Sequence, residues 1–112
     1  MEKVFVYGTL KKGYHNNRLL NGFTSTPATA SNIDLHRGPV FPFAKRGTGT
    51  AIGEVYEVDE QILQRLDRLE GHPTFYKREK TKVICEGKFD EAWIYLYPGA
   101  DKYPKIDDGE WK

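Results

Sequence analysis

The sequence predicts an α+β fold: a mainly antiparallel, barrel-like sheet with one amphipathic helix and one shorter helix. Three observations lead there. Short β-favouring runs recur along the chain between glycine and proline punctuation. Only one segment, around Ile62, Leu63, Leu66 and Leu69, repeats its apolar residues at three- and four-residue steps. That helix lies between strands without any βαβ repetition.

Taken in order, Val4-Phe5-Val6-Tyr7 is apolar and β-favouring, and Gly8 stops it. Residues 15–20 suit a short helix, with Asn16 or Asn17 as its cap and Asn21-Gly22 as its stop. Residues 24–29 are β-branched but broken by Pro27, which suits an edge strand. Ile33-Asp34-Leu35-His36 alternates as a half-buried strand does, and Gly38-Pro39 signals a turn. Pro42 again marks an edge or loop. Residues 48–50 open the next strand, which runs over 51–58 with Gly53 as a bulge. Asp59 caps the main helix, and Gly71 and Pro73 end it. Residues 75–85 and 89–97 then form two strands joined at Glu86-Gly87-Lys88. In the tail, Trp111 is expected to dock back on the body. The sum is about six strands and two helices in a single domain, residues 1–112.

Composition narrows the function classes. A chain of 112 residues is of ordinary single-domain size, and half of it would bury too little for a second domain. Lys+Arg number 17 against 16 Asp+Glu, so no basic excess points to nucleic acid or to anionic membranes. The single cysteine, Cys85, excludes an intramolecular disulfide and fits a reducing compartment. His15, His36, His72 and Cys85 show no metal-ligand spacing. The apolar run at the N-terminus is too short for a signal-peptide core or a membrane span. The expectation is a soluble, cytoplasmic monomer that uses no metal or cofactor and binds neither nucleic acid nor membrane.

Two features invite a chemical reading. Glu70 ends the main helix, facing the negative end of its dipole and following Leu69 of the apolar stripe. Such a place raises a carboxyl pKa and suits a group that takes and gives a proton near neutrality. On helix position alone, a solvated acid at a frayed helix end explains it better. Tyr7-Gly8-Thr9-Leu10 breaks a strand at glycine and frees successive N–H groups that can hold an anion. An ordinary strand-to-loop turn explains that too. Cys85 has no flanking base, no Gly-x-Ser-x-Gly turn occurs, and Gly47-Thr48-Gly49 lacks the rest of a phosphate-binding fingerprint. His72, beside Pro73, reads as a loop residue.

Together these segments resemble the γ-glutamyl cyclotransferase-like (AIG2-like) superfamily. Phe5-Val6-Tyr7-Gly8-Thr9-Leu10-Lys11-Lys12-Gly13 resembles its opening, and Gly53-Glu54-Val55-Tyr56-Glu57-Val58 its central strand. Leu66-Asp67-Arg68-Leu69-Glu70-Gly71 with Phe75-Tyr76-Lys77-Arg78 resembles its catalytic segment, and Ala92-Trp93-Ile94-Tyr95-Leu96-Tyr97 its late strand.

The resemblance implies a small β-barrel with flanking helices and a cavity at one end. It implies ring closure of a γ-glutamyl group to 5-oxoproline with release of the attached amine. Glu70 would be the general acid and base. Gly8, Thr9 and Leu10 would hold the substrate through their N–H groups. Tyr7 and Tyr76 would wall the pocket and donate hydrogen bonds, with Arg78 a weaker candidate for attracting a carboxylate. The opening and the Leu-Glu-Gly-x-Pro-x-x-Tyr stretch look most like the branch that cleaves γ-glutamylamines. The competing reading is a non-catalytic module on the same barrel that binds a small carboxylate-bearing ligand.

Overall fold

A computed structural model describes residues 1–112. The elements are β1 (Glu2–Val6), a 3-10 helix (His15–Leu20), β2 (Ser25–Arg37), β3 (Pro42–Val58), α1 (Glu60–Glu70), β4 (Lys77–Cys85), β5 (Lys88–Leu96) and a 3-10 turn (Ala100–Lys102). The strands close a barrel in the order β1-β3-β2-β4-β5. Its one parallel seam joins β1 to β5 at Val4 and Trp93, and every other pairing is antiparallel.

Two long strands replace the several shorter ones expected between residues 24 and 58. Asn32 takes a left-handed conformation (φ 59°), and the β2–β3 register shifts between Ser31 and Ile33. This bulge bends β2 without ending it. Asp34 stabilises the bend, accepting a hydrogen bond from the Gly49 amide at 2.9 Å. Pro27 does not lie on an open edge, since the barrel is closed. It pairs with Glu54 of β3 and sits just before the β4 ladder, which starts at Ala28. Pro42 is the first residue of β3, where a proline is tolerated.

Gly53 is not a bulge. It pairs regularly with Ala28, and its missing side chain makes room for β1. A Cβ there would stand 2.2 Å from the Val6 carbonyl oxygen and 2.9 Å from the Phe5 ring.

Alternation along β1 sends Phe5 and Tyr7 into the barrel and Val4 and Val6 beneath α1. Inside the barrel, Ala28, Ala30, Ala44, Ala51 and Ala92 leave space for these rings. The Asp59 side chain accepts from the Ile62 amide at 2.8 Å to start α1, and Gly71 ends it at φ 69°. Leu63 and Leu66 are buried against the barrel, whereas Leu69, expected in the same stripe, is 43% exposed. The β4–β5 turn has positive φ at both Glu86 and Gly87, as a tight hairpin of right-handed twist requires. Trp111 does dock, packing on Tyr14 with ring centroids 5.1 Å apart. No helix is long and apolar enough to cross a membrane.

The contact at Gly53 yields a stability prediction. Gly53→Ala drives a methyl into backbone and is expected to cost about 1–3 kcal/mol by urea unfolding. An unchanged midpoint would show that β1 gives way without strain.

Candidate active site

The end of β1, the start of β3, the last turn of α1 and the segment before β4 converge on a cavity of about 290 Å³. Tyr7, Gly8, Thr9, Leu10, Glu70 and Tyr76 all line it. The two segments singled out from the sequence therefore share one pocket.

The turn after β1 is held by its carbonyls. Lys11 N–H donates to Gly8 O at 3.0 Å and Asn16 N–H to Thr9 O at 3.1 Å. The Asn16 side chain donates to Thr9 Oγ1 at 2.9 Å, and that of Asn17 to Leu10 O at 2.8 Å. These asparagines do not cap the 3-10 helix, whose N-cap is Tyr14; they lock the turn. The N–H groups of Gly8, Thr9 and Leu10 donate to no other group of the protein. Gly8 is needed for packing: a Cβ would lie 2.9 Å from the Pro42 ring.

Glu70 is the one charged residue lining the cavity, and its carboxylate has no hydrogen bond or ion pair within the protein. Burial raises its pKa from the ordinary 4.5 to about 7.

The tyrosines play a narrower part than expected. Tyr7 donates its hydroxyl to the Tyr95 carbonyl, and Tyr76 donates to Pro42 O at 2.8 Å. Tyr95, which also lines the cavity, donates to Asp67 Oδ1 at 2.7 Å. All three hydroxyls are thus committed to protein acceptors. Burial holds each well above the ordinary phenol pKa, with Glu70 adding to it at Tyr76 and the Asp67 acceptor adding to it at Tyr95. They are walls rather than proton carriers.

Arg78 does not face the cavity. It grips Asp67 with two bonds, Nε to Oδ1 at 2.7 Å and Nη2 to Oδ2 at 3.0 Å, and lies 4.2 Å above the Trp93 ring. Burial opposes ionisation of Asp67, but the bonds from Arg78 and Tyr95 outweigh it and hold the carboxyl below its ordinary pKa. His72 accepts from the Arg78 amide through Nδ1 at 3.0 Å, which makes it structural.

Sequence reasoning missed Asn16, Phe41, Pro42, Leu69, Phe75 and Tyr95, all of which line the cavity. Asn16 looked like a helix cap. Phe41 and Pro42 enter through the β2–β3 turn, which carries no local sign of a site. Tyr95 was within reach: it pairs directly with Arg78 in the β4–β5 hairpin.

Comparison with known proteins agrees with this picture. The family described as Gamma-glutamyl cyclotransferase, AIG2-like matches residues 4–112. A Methanocaldococcus jannaschii protein named for the same activity is 42% identical over 104 residues, 88% of this chain and 86% of its own. The gamma-glutamylcyclotransferase family protein YtfP of Escherichia coli K12 is 30% identical, covering 97% of this chain and 95% of that one. Among solved structures, a mouse AIG2-like protein superposes with a TM-score of 0.83 at 27% identity, covering 100% of this chain and 88% of its own.

The buried carboxyl makes stability depend on pH. Folded Glu70 keeps its proton up to about pH 7, whereas unfolded it loses the proton near 4.5. The folded state binds more protons between those values, so its stability falls as pH rises from about 4.5 to about 7 and then levels off. Glu70→Gln removes this penalty. Urea unfolding should show the variant gaining on the wild type by about 3 kcal/mol between pH 4 and pH 8. A gain independent of pH would mean that Glu70 is not desolvated.

Proposed function

Because the chain belongs to the Gamma-glutamyl cyclotransferase, AIG2-like family, we propose that it is an enzyme that cyclises the γ-glutamyl group of a small γ-glutamyl amine or peptide to 5-oxoproline. The observation that carries this reading is Glu70, a partnerless carboxyl in an apolar cavity that also contains the unbonded turn amides.

The reaction suits such a pocket because the nucleophile belongs to the substrate. The α-amine attacks the γ-carbonyl carbon, the ring closes, and the bond to the attached amine breaks. Folding the substrate so that its two ends meet supplies much of the acceleration. An α-ammonium of pKa about 8 must first lose a proton. Glu70, ionised above its own pKa of about 7, accepts that proton. Ring closure frees a second proton from the attacking nitrogen, and Glu70 passes both in turn to the departing nitrogen, which leaves as an ammonium; the step consumes no water and leaves Glu70 as it began.

The amides of Gly8, Thr9 and Leu10 hold the α-carboxylate or the oxyanion that develops on the γ-carbonyl oxygen. No cation lines the cavity, so this anion-holding task falls to the backbone. Tyr7, Tyr76 and Tyr95 exclude water and keep Glu70 desolvated. Thr9 is steadied by Asn16, which makes Asn16 a positioning residue for the turn.

Purified protein is expected to release 5-oxoproline from γ-glutamyl-ε-lysine or a γ-glutamyl dipeptide, and Glu70→Gln to lower kcat by about 10²–10⁴-fold. In the wild type, kcat/KM should rise with pH through about 7 as Glu70 becomes a base. Binding of intact γ-glutamyl ligands without any 5-oxoproline would instead mark a binding module.

A further inference from the structure

Residues 104–111 form a strap across β2 and β3. Arg37 N–H donates to Pro104 O at 2.7 Å and Ile106 N–H to Leu35 O at 2.8 Å, which ties the strap to β2. Ile52 N–H donates to Gly109 O at 2.8 Å, which ties it to β3. Gly109 has φ 74°, and a Cβ there would stand 2.0 Å from the Thr50 carbonyl oxygen, so a side chain would lift the strap away. Ile106 is buried with the barrel's interior side chains, and Trp111 packs against the same cluster.

The strap reaches the turn that lines the active-site cavity. Lys11, the residue after Leu10, is 6% exposed and forms no ion pair. A lysine this buried ordinarily has a charged partner. Here its ammonium donates to the Trp111 carbonyl at 2.5 Å, across 100 residues of sequence, and lies 5.4 Å from the centre of the Tyr14 ring. The Trp111 ring packs on that same Tyr14 at 5.1 Å. Both residues belong to the scaffold of the turn. Lys11 N–H closes it on Gly8 O, and Tyr14 N–H donates to Lys11 O at 3.1 Å and caps the 3-10 helix that carries Asn16 and Asn17. The other hydrogen bonds from this lobe to the barrel go to β3: Asn17 to the Tyr56 hydroxyl at 2.9 Å, and the Lys12 amide to Glu54 Oε1 at 3.0 Å.

We propose that Lys11, Tyr14 and Trp111 form a clasp through which the strap sets the position of the Gly8, Thr9 and Leu10 amides, so that Lys11 and Trp111 are positioning residues for the substrate's α-carboxylate. This rests on the ring-closure reading above and assigns the turn its task within it. Neither side chain lines the cavity, so both act through the turn and not on the substrate.

The test follows 5-oxoproline release from γ-glutamyl-alanine and γ-glutamyl-ε-lysine by the wild type, Lys11→Met, Trp111→Ala and the double variant, at a temperature where urea unfolding shows each to be folded. Partial loss of folded protein lowers apparent kcat and leaves KM alone, whereas a displaced turn grips the α-carboxylate less and raises KM. Lys11→Met should raise KM about tenfold with kcat within about twofold of wild type. Trp111, only partly buried, gives a second variant that keeps the backbone acceptor, and its loss should raise KM about threefold. The double variant should be no worse than Lys11→Met by more than about twofold, since both changes open one clasp. The rise of kcat/KM with pH should stay at about 7 in every variant, because Glu70 keeps its surroundings. An unchanged KM in either folded single variant, a fall confined to kcat, or additive effects in the double variant overturns the clasp while leaving ring closure standing. No 5-oxoproline from either substrate with the wild type overturns both.

Discussion

A largely desolvated carboxyl group that is given no cation is the constraint around which this chain is organised. Desolvation disfavours the charged form, and nothing else in the cavity restores it. Most buried acids acquire an arginine or several amide donors. Here the arginine close at hand, Arg78, is taken by Asp67, one helical turn before Glu70 on α1. The same Asp67 accepts from Tyr95, and the Arg78 amide donates to His72 just beyond the helix. Helix end, loop and hairpin are thereby tied together, and Glu70 is presented to the cavity while the Arg78 guanidinium faces elsewhere.

The barrel provides the other half of the arrangement. Its closure lets β1 end at the mouth, so that the turn after Val6 and the C-terminus of α1 meet there. That meeting depends on two close approaches. Gly53 admits the β1 backbone, and Gly8 admits the Pro42 ring. Pro42 in turn presents the carbonyl that takes the Tyr76 hydroxyl. The asparagines of the 3-10 helix satisfy the turn's side-chain and carbonyl acceptors and leave its amides unbonded. A strained or metal-bearing site is unnecessary for intramolecular ring closure, which asks chiefly for positioning and one proton carrier.

Much of this was legible in the sequence because it is local. The cap at Asp59, the left-handed stop at Gly71 and the hairpin at Glu86-Gly87 each follow from one or two residues. The two halves of the candidate site were legible for a different reason: their motifs resemble those of a family in the same order. Non-local features were not legible. Residues 24–58 read as several short pieces because a bulge at Asn32 and two prolines look like breaks until the pairing partner is known. Tyr7 and Tyr76 looked like substrate donors because only tertiary structure reveals that their hydroxyls are already engaged. Phe75 was legible only as part of the family-like stretch before β4; that it lines the cavity was not.

The central claim is that Glu70 titrates near neutrality because it is largely desolvated and unpartnered. Direct titration of its side-chain carboxyl carbon by NMR, with Glu70→Gln used to assign the resonance, tests that claim without any substrate. An inflection at about 7 is predicted. An inflection near 4.5, the ordinary value for a solvated glutamate, would contradict it.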